Sequence, residues 1–167
     1  THTVFIADTT VTERPTCDQL AEIAIQTAQV ARRMGHEPRV AFMSYSNFGN
    51  PEGSFLERIR DAVKMLDRRD DVDFEYEGEM APDVALNPAL QTVFPFSRLT
   101  GPANVLIMPG LHAAHILTRS IPRLTSANVI GPLLTGLSHS AQIVPMQAGV
   151  NQMLDVACLA AHAASQM

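Results

Sequence analysis

Short unbroken apolar runs alternate along the chain with apolar positions spaced three and four apart, the pattern of βα units around a largely parallel sheet. Thr3 to Ala7 reads as a first strand, and Pro15-Thr16-Cys17-Asp18 then carries helix-start chemistry. Leu20, Ile23, Ala24, Thr27, Ala31 and Met34 recur at helical steps until Gly35 stops the helix. Arg39 to Ser44 reads as the next strand, followed by a polar turn and an amphipathic helix marked by Phe55, Ile59, Ala62, Val63 and Leu66. Asp71 to Glu77 alternates acidic and apolar residues, which predicts a strand with four carboxylates on one solvated face. A short helix over Asp83 to Val93, a buried strand at Ala103 to Met108 and a helix over His112 to Leu124 come next. Strands at Ala127 to Ile130 and Gln142 to Pro145, with the Gly131-Pro132 turn between them, and a last helix over Val150 to Ser165 complete the pattern. This order of elements predicts one α/β domain with a mostly parallel sheet in a three-layer α/β/α arrangement over residues 1–167.

A chain of 167 residues suffices for one core without disulfide or metal support, and 46% hydrophobic with 17% charged residues is ordinary globular composition. Twelve basic against seventeen acidic residues leave a net charge of −5, so a nucleic-acid partner is not expected. No apolar run reaches the roughly 18 residues that a membrane helix needs, and no membrane partner is expected either. Cys17 and Cys158 fall within predicted helices, which fits a reduced, cytoplasmic setting better than a disulfide framework. Thr1 stands directly before the first strand, as it would in a piece of a longer chain.

Candidate chemistry is sparse. The four-acid face could hold a metal, although hard-metal sites gather oxygens from several loops. His112 and His115, three apart at a helix start, could share a ligand or could serve the helix N-terminus. Ser44-Tyr45-Ser46-Asn47-Phe48-Gly49-Asn50-Pro51 leaves a strand for a helix, offering amides and hydroxyls where an anion or nucleotide could bind, unless those groups satisfy their own turns. Neither a Gly-Lys-Ser/Thr phosphate loop nor a Gly-x-Ser-x-Gly nucleophile elbow occurs. Arg32-Arg33 and Arg68-Arg69 close predicted helices, where cations suit the negative helix end.

Four strings, "RVAFMSYSNFGNPEG", "FEYEGEMAPDVALNPAL", "PFSRLTGPANVLIMPGLHAAHI" and "VIGPLLTGLSHSAQIVPM", in this order and spacing, resemble the phosphate acetyltransferase family. The likeness extends to the phosphate-acetyltransferase-like domain at the C-terminus of bacterial NADP-dependent malic enzymes, of which this chain would be the second half. It implies a fold similar to the isocitrate/isopropylmalate dehydrogenase type, a pocket for coenzyme A thioesters between two subdomains, and a homo-oligomer built through a dimer contact. The last helix, about 150–165, would pack on the missing half. NADP and a divalent metal, Mg or Mn, would belong to the parent's other part, with no cofactor in this chain.

Active transferases of the family carry Ser-Arg-Gly-x-Ser-x-x-Asp at the turn before the final helix, a cation for the acetyl phosphate and a base for the thiol. In "IVPMQAGVNQMLD" those positions hold Met146, Gln147, Ala148, Val150 and Met153. Loss of the general base removes about 10²–10⁴ in rate, and loss of the cation a similar order. No catalytic residue is therefore assigned, and the resemblance implies a non-catalytic region that binds acetyl-CoA as an effector. The runner-up is an active phosphate acetyltransferase using other residues, and a third reading is pure subunit assembly. The expected acetyl-CoA contacts are Ser44, Ser46, Asn47, Phe48 and Gly49, the Gly131-Pro132 turn, and Met146, Gln147, Ala148 and Gly149. Arg58, Arg98 and Arg119 are candidates for its phosphates, against a solvated role for each.

Overall fold

Thr16 opens the first long helix in the computed structural model, which describes residues 2–165. The elements in chain order are β1 Phe5–Ala7, α1 Cys17–Arg33, β2 Arg39–Met43, α2 Leu56–Leu66, β3 Glu75–Met80, α3 Pro82–Leu86, α4 Pro88–Gln91, β4 Val105–Ile107, α5 Leu111–Leu124 and α6 Val150–Ser165. The Thr16 hydroxyl accepts the Gln19 N–H at 3.3 Å while the Gln19 side-chain oxygen accepts the Thr16 N–H at 2.9 Å, a closed capping box. Gly35, at φ +81°, then turns the chain out of α1, and the His36 N–H reaches back to the Ala31 carbonyl at 3.0 Å.

The chain divides into two compact units, Thr1–Ile116 and Leu117–Met167. In the first, four parallel strands lie in the order β1-β4-β2-β3, with Val40 facing Val105 and Phe42 facing Ile107. Leu20, Ala24, Ala28 and Ala31 of α1 and Ile59, Ala62, Val63 and Leu66 of α2 form one core with Val40, Phe42, Val105 and Ile107. Burial stabilises each large aliphatic side chain there by about 1.5–3 kcal/mol. Ala41, Met43 and Leu106, directed to the other face by the pleat, are buried as well, so the central strands are apolar on both sides. From β1 to β2 to β3 the chain advances across the sheet, then doubles back to β4. Right-handed crossover places that return on the face opposite α1 and α2. Val84 and Ala85 of α3 are buried, and the Ala103 N–H donates to the Ala85 carbonyl at 2.8 Å.

Several expectations are corrected. The helix over Asp83 to Val93 is broken at Asn87, which is held extended before Pro88 and caps α4 by accepting the Ala89 N–H at 3.0 Å. The acidic strand begins at Glu75 rather than Asp71. Asp71 and Asp73 lie in the turn before it, paired with Arg69 at 2.6 Å and Arg32 at 2.8 Å. Arg32 and Arg33 do occupy the last turn of α1, but α2 stops at Leu66, before Arg68 and Arg69. Phe55 stands at the N-cap of α2 and is exposed instead of packing with its apolar stripe. In the second unit neither Ala127 to Ile130 nor Gln142 to Pro145 forms a strand, because neither meets a strand to pair with among the described residues. No helix is long and apolar enough to cross a membrane among the described residues.

Candidate functional site

β2 and β3 run in register to Phe42 and Gly78, after which Met43 faces Met80, leaving Glu79 as an extra residue in the ladder. Such a bulge frees a side chain from the strand's alternation. Glu79 is 1% exposed and lies beneath the Ser44 to Asn50 loop. Its Oε1 accepts the Ser46 hydroxyl at 2.9 Å and the Gly49 N–H at 2.7 Å, and Arg60 of α2 donates Nε to Oε2 at 2.8 Å. The Glu79 carbonyl also accepts the Phe48 N–H at 2.9 Å. Asn47 Oδ1 accepts the Ala81 N–H at 2.8 Å, and the Ser44 N–H reaches the Met80 carbonyl at 2.9 Å. Burial pushes the Glu79 carboxyl pKa up, but the bonds from Arg60, Ser46 and Gly49 outweigh it and hold the group below its ordinary value.

Five of the expected contact residues, Ser44, Ser46, Asn47, Phe48 and Gly49, are thus brought into one loop whose polar groups are largely directed inward. Ser46 and Glu79 form a serine–carboxylate pair, yet the serine is fully buried and the carboxylate is an ionised, arginine-bound group, a poor base. The loop turns outward with an aromatic surface. Phe48 adopts φ +50°, a left-handed conformation unusual for a bulky residue. Its ring packs on Phe94 and Phe96 with centroids 5.0 and 4.8 Å away, and Phe96 is 63% exposed.

The neighbouring strand ends are also tied down. Asp8, after β1, accepts the N–H groups of Thr10, Val11 and Thr12 at 2.8, 2.9 and 2.6 Å. Met108 N–H donates to the Ala7 carbonyl at 2.6 Å, and Arg58 of α2 donates to the Pro109 carbonyl at 2.8 Å. Beyond β3's free edge, Glu75 accepts the N–H and hydroxyl of Thr100, and Glu77 accepts the Arg98 N–H at 3.0 Å. The solvated acidic face is therefore corrected: Glu77 is buried, and these acids fasten the 97–100 loop to the sheet. Burial pushes the Arg98 guanidinium pKa down, but its contacts with Glu77 and Asp67 outweigh this and raise it, and the group lies 4.4 Å over the Tyr76 ring. Arg58 and Arg98 are thus both committed to internal contacts.

Gly131, Pro132, Met146, Gln147, Ala148 and Gly149 belong to the second unit. Gly131 has φ +127°, reachable without strain only by glycine. The turn before α6 closes with the Ala148 N–H on the Pro145 carbonyl at 2.9 Å, and the Met153 N–H begins α6 by donating to the Gly149 carbonyl at 3.1 Å. Met146 is 100% exposed, and Met146 to Val150 contain no ionisable or hydroxyl side chain. Among the described residues no three His, Cys, Asp or Glu side chains come together as a metal site, His112 and His115 included.

The residues that organise the loop most, Glu79 and Arg60, are not among the contacts that the sequence pattern predicts. Glu79 continues the acid alternation of Glu75 and Glu77 past Gly78, which is the one signal that pointed to it. Gly78 itself is required, since a Cβ there would come within 2.7 Å of Phe42 Cβ.

Residues 1–161 match the family described as phosphate acetyl/butaryl transferase. The chain is 51% identical over 160 residues to the NADP-dependent malic enzyme of Rhizobium meliloti, covering 96% of this chain and 21% of that protein. A phosphotransacetylase from Streptococcus pyogenes superposes with TM-score 0.90 at 27% identity, covering 97% of this chain and 49% of that one. The EutD phosphotransacetylase from Staphylococcus aureus gives 0.87 at 27% identity, with 96% and 49% covered. The chain thus spans about a fifth of the malic enzyme, in its C-terminal phosphate-acetyltransferase-like part, and about half of each phosphotransacetylase. By the extent of these matches the chain belongs to the phosphate acetyl/butaryl transferase family.

Proposed function

We propose that this chain is the second half of the C-terminal phosphate-acetyltransferase-like domain of an NADP-dependent malic enzyme, and that it acts there as a non-catalytic, acetyl-CoA-binding regulatory and oligomerisation region. The parent reaction would be oxidative decarboxylation of malate to pyruvate in the cytoplasm. NADP and its divalent metal, Mg or Mn, would be held by the rest of the parent. The observation that carries the reading is the Met146 to Val150 turn, which enters α6 with neither cation, base nor hydroxyl. The 51% identity to a malic enzyme supports that parent.

Acetyl-CoA would act by different affinity for two states of the assembled enzyme. Titration of the intact parent enzyme with acetyl-CoA should change both its malate kinetics and its melting temperature; no change in either would refute the reading. A coupled assay of acetyl phosphate formation from acetyl-CoA and phosphate should show no turnover above background. Robust turnover there would replace the reading with an active transferase.

A further inference from the structure

Arg32, Arg60, Arg69 and Arg98 each meet a carboxylate, at 2.8, 2.8, 2.6 and 2.5 Å. Arg58 meets none among the described residues, although Glu57 is its neighbour and Glu52 stands just before the helix. Its Nη2 rests on the Pro109 carbonyl at 2.8 Å, a neutral acceptor. Its Nε is buried without any hydrogen-bond partner, the one such side-chain atom among the described residues. Nε and Nη2 form the edge of a guanidinium that binds a carboxylate or phosphate through two parallel bonds. In Arg58 that edge is half filled and its charge is unanswered. A charged donor left unpaired is costly, so the arrangement favours an acceptor that arrives from outside.

Arg58 lies in the first turn of α2, whose N-cap, Phe55, makes no side-chain bond, so the helix adds its positive end to the arginine's charge. Pro109 follows β4, which brings the guanidinium to the carboxyl end of the sheet, where open α/β sheets take their ligands. We infer that Arg58 anchors an oxyanion site at this end of the sheet, and that its ligand is a phosphate group, free or carried on a larger molecule. The site is not the family's phosphate cation, whose position falls in the second unit and holds Gln147. Nη2 has a second proton for the ligand while the first stays on Pro109, and the half-buried side chain keeps its head within reach of solvent. Free phosphate needs nothing from the regulatory reading; only the naming of acetyl-CoA as a carrier rests on it.

The test follows the Arg58 Nε–H resonance of the isotope-labelled chain near neutral pH while inorganic phosphate replaces chloride at constant ionic strength, so that screening stays fixed. The resonance should shift and saturate with a Kd of about 1–10 mM. Arg58→Gln keeps a donor for Pro109, and Arg58→Lys keeps the charge but loses the fork. Each should weaken binding by about 10-fold or more, read from the amides of Glu57 and Gly110. Arg68→Gln removes the same charge from an exposed position and should leave the Kd unchanged. An Nε–H resonance that stays still up to about 50 mM phosphate overturns the inference, and so does an equal loss of binding in Arg68→Gln. Should both Arg58 variants fail to fold, the titration of the unaltered chain decides the matter by itself. Acetyl-CoA and its dephospho form, which lacks the ribose phosphate, then identify the carrier. A shift by the first alone makes the ribose phosphate the ligand, a shift by both makes it the diphosphate, and a shift by neither makes it free phosphate; each result supports the site once inorganic phosphate has bound. The regulatory reading is scored on malate kinetics, so its failure and the failure of this site are separate.

Discussion

Replacing Glu79 by alanine removes the carboxylate that joins β3, α2 and the loop after β2. The Gly49 N–H and the Ser46 hydroxyl then lose their acceptor, at about 1–3 kcal/mol for each buried group left unpaired. Removing one partner of a buried ion pair costs about 3–5 kcal/mol in total. Arg60 is 33% exposed and can turn partly to water, which discounts that range toward its lower end. The expected loss is therefore about 3 kcal/mol. Glu79→Gln keeps one acceptor oxygen but sets an amide N–H₂ against the guanidinium, so about 2 kcal/mol is expected. The chain has no tryptophan, so unfolding in urea is best followed by far-UV circular dichroism of its helices. With a slope of about 2 kcal/mol per molar, Glu79→Ala should lower the midpoint by about 1.5 M at unchanged slope. Exchange of the Phe48 and Gly49 amides should accelerate as well. A midpoint shift below about 0.5 M would refute the assignment of Glu79 as the anchor of this loop.

Acid should destabilise the fold through three carboxylates. Burial pushes Asp8, Asp67 and Glu79 upward, but backbone N–H bonds at Asp8, the Arg98 and Tyr76 contacts at Asp67, and the Arg60, Ser46 and Gly49 contacts at Glu79 hold each below its ordinary 3.8 or 4.5. Their stabilisation is complete above those ordinary values and is lost as pH falls through the lower folded ones, so the urea midpoint should drop steeply below about pH 4.5 and less steeply in Glu79→Gln. A midpoint unchanged down to about pH 3 would contradict this. Gly78→Ala, whose Cβ would meet Phe42 at 2.7 Å in a backbone at φ +154°, should cost more than about 3 kcal/mol; a thermal melt within a degree or two of the parent chain's would refute the close approach. Thr16→Ala should remove the cap of α1 for about 1 kcal/mol, read from the same urea curves, and a gain in stability would count against the capping box.

Local chemistry alone was enough for the first helix and for the strands at Phe5, Val40 and Val105. The spacing from Leu20 to Met34, the Thr16 cap and the Gly35 stop mark α1 because helix formation is decided by neighbours three and four residues away. The β-favouring runs at Val40 and Val105 likewise mark strands buried on both faces, and the run at Phe5 marks a half-buried strand at the sheet edge. The turn before α6 is legible too, with its missing cation and base, since an absent side chain is absent in any fold. What a carboxylate does is not legible in that way. Glu75, Glu77 and Glu79 look alike in sequence, and only the one-residue slip between β2 and β3 gives Glu79 to Arg60 and Ser46 while Glu75 and Glu77 hold the 97–100 loop. Strand formation itself is non-local. The runs at 127–130 and 142–145 have the pattern of strands and remain unpaired, because a strand exists only when another backbone lies beside it to exchange hydrogen bonds. Periodicity along one chain states what each segment prefers; the tertiary structure decides which preferences find a partner.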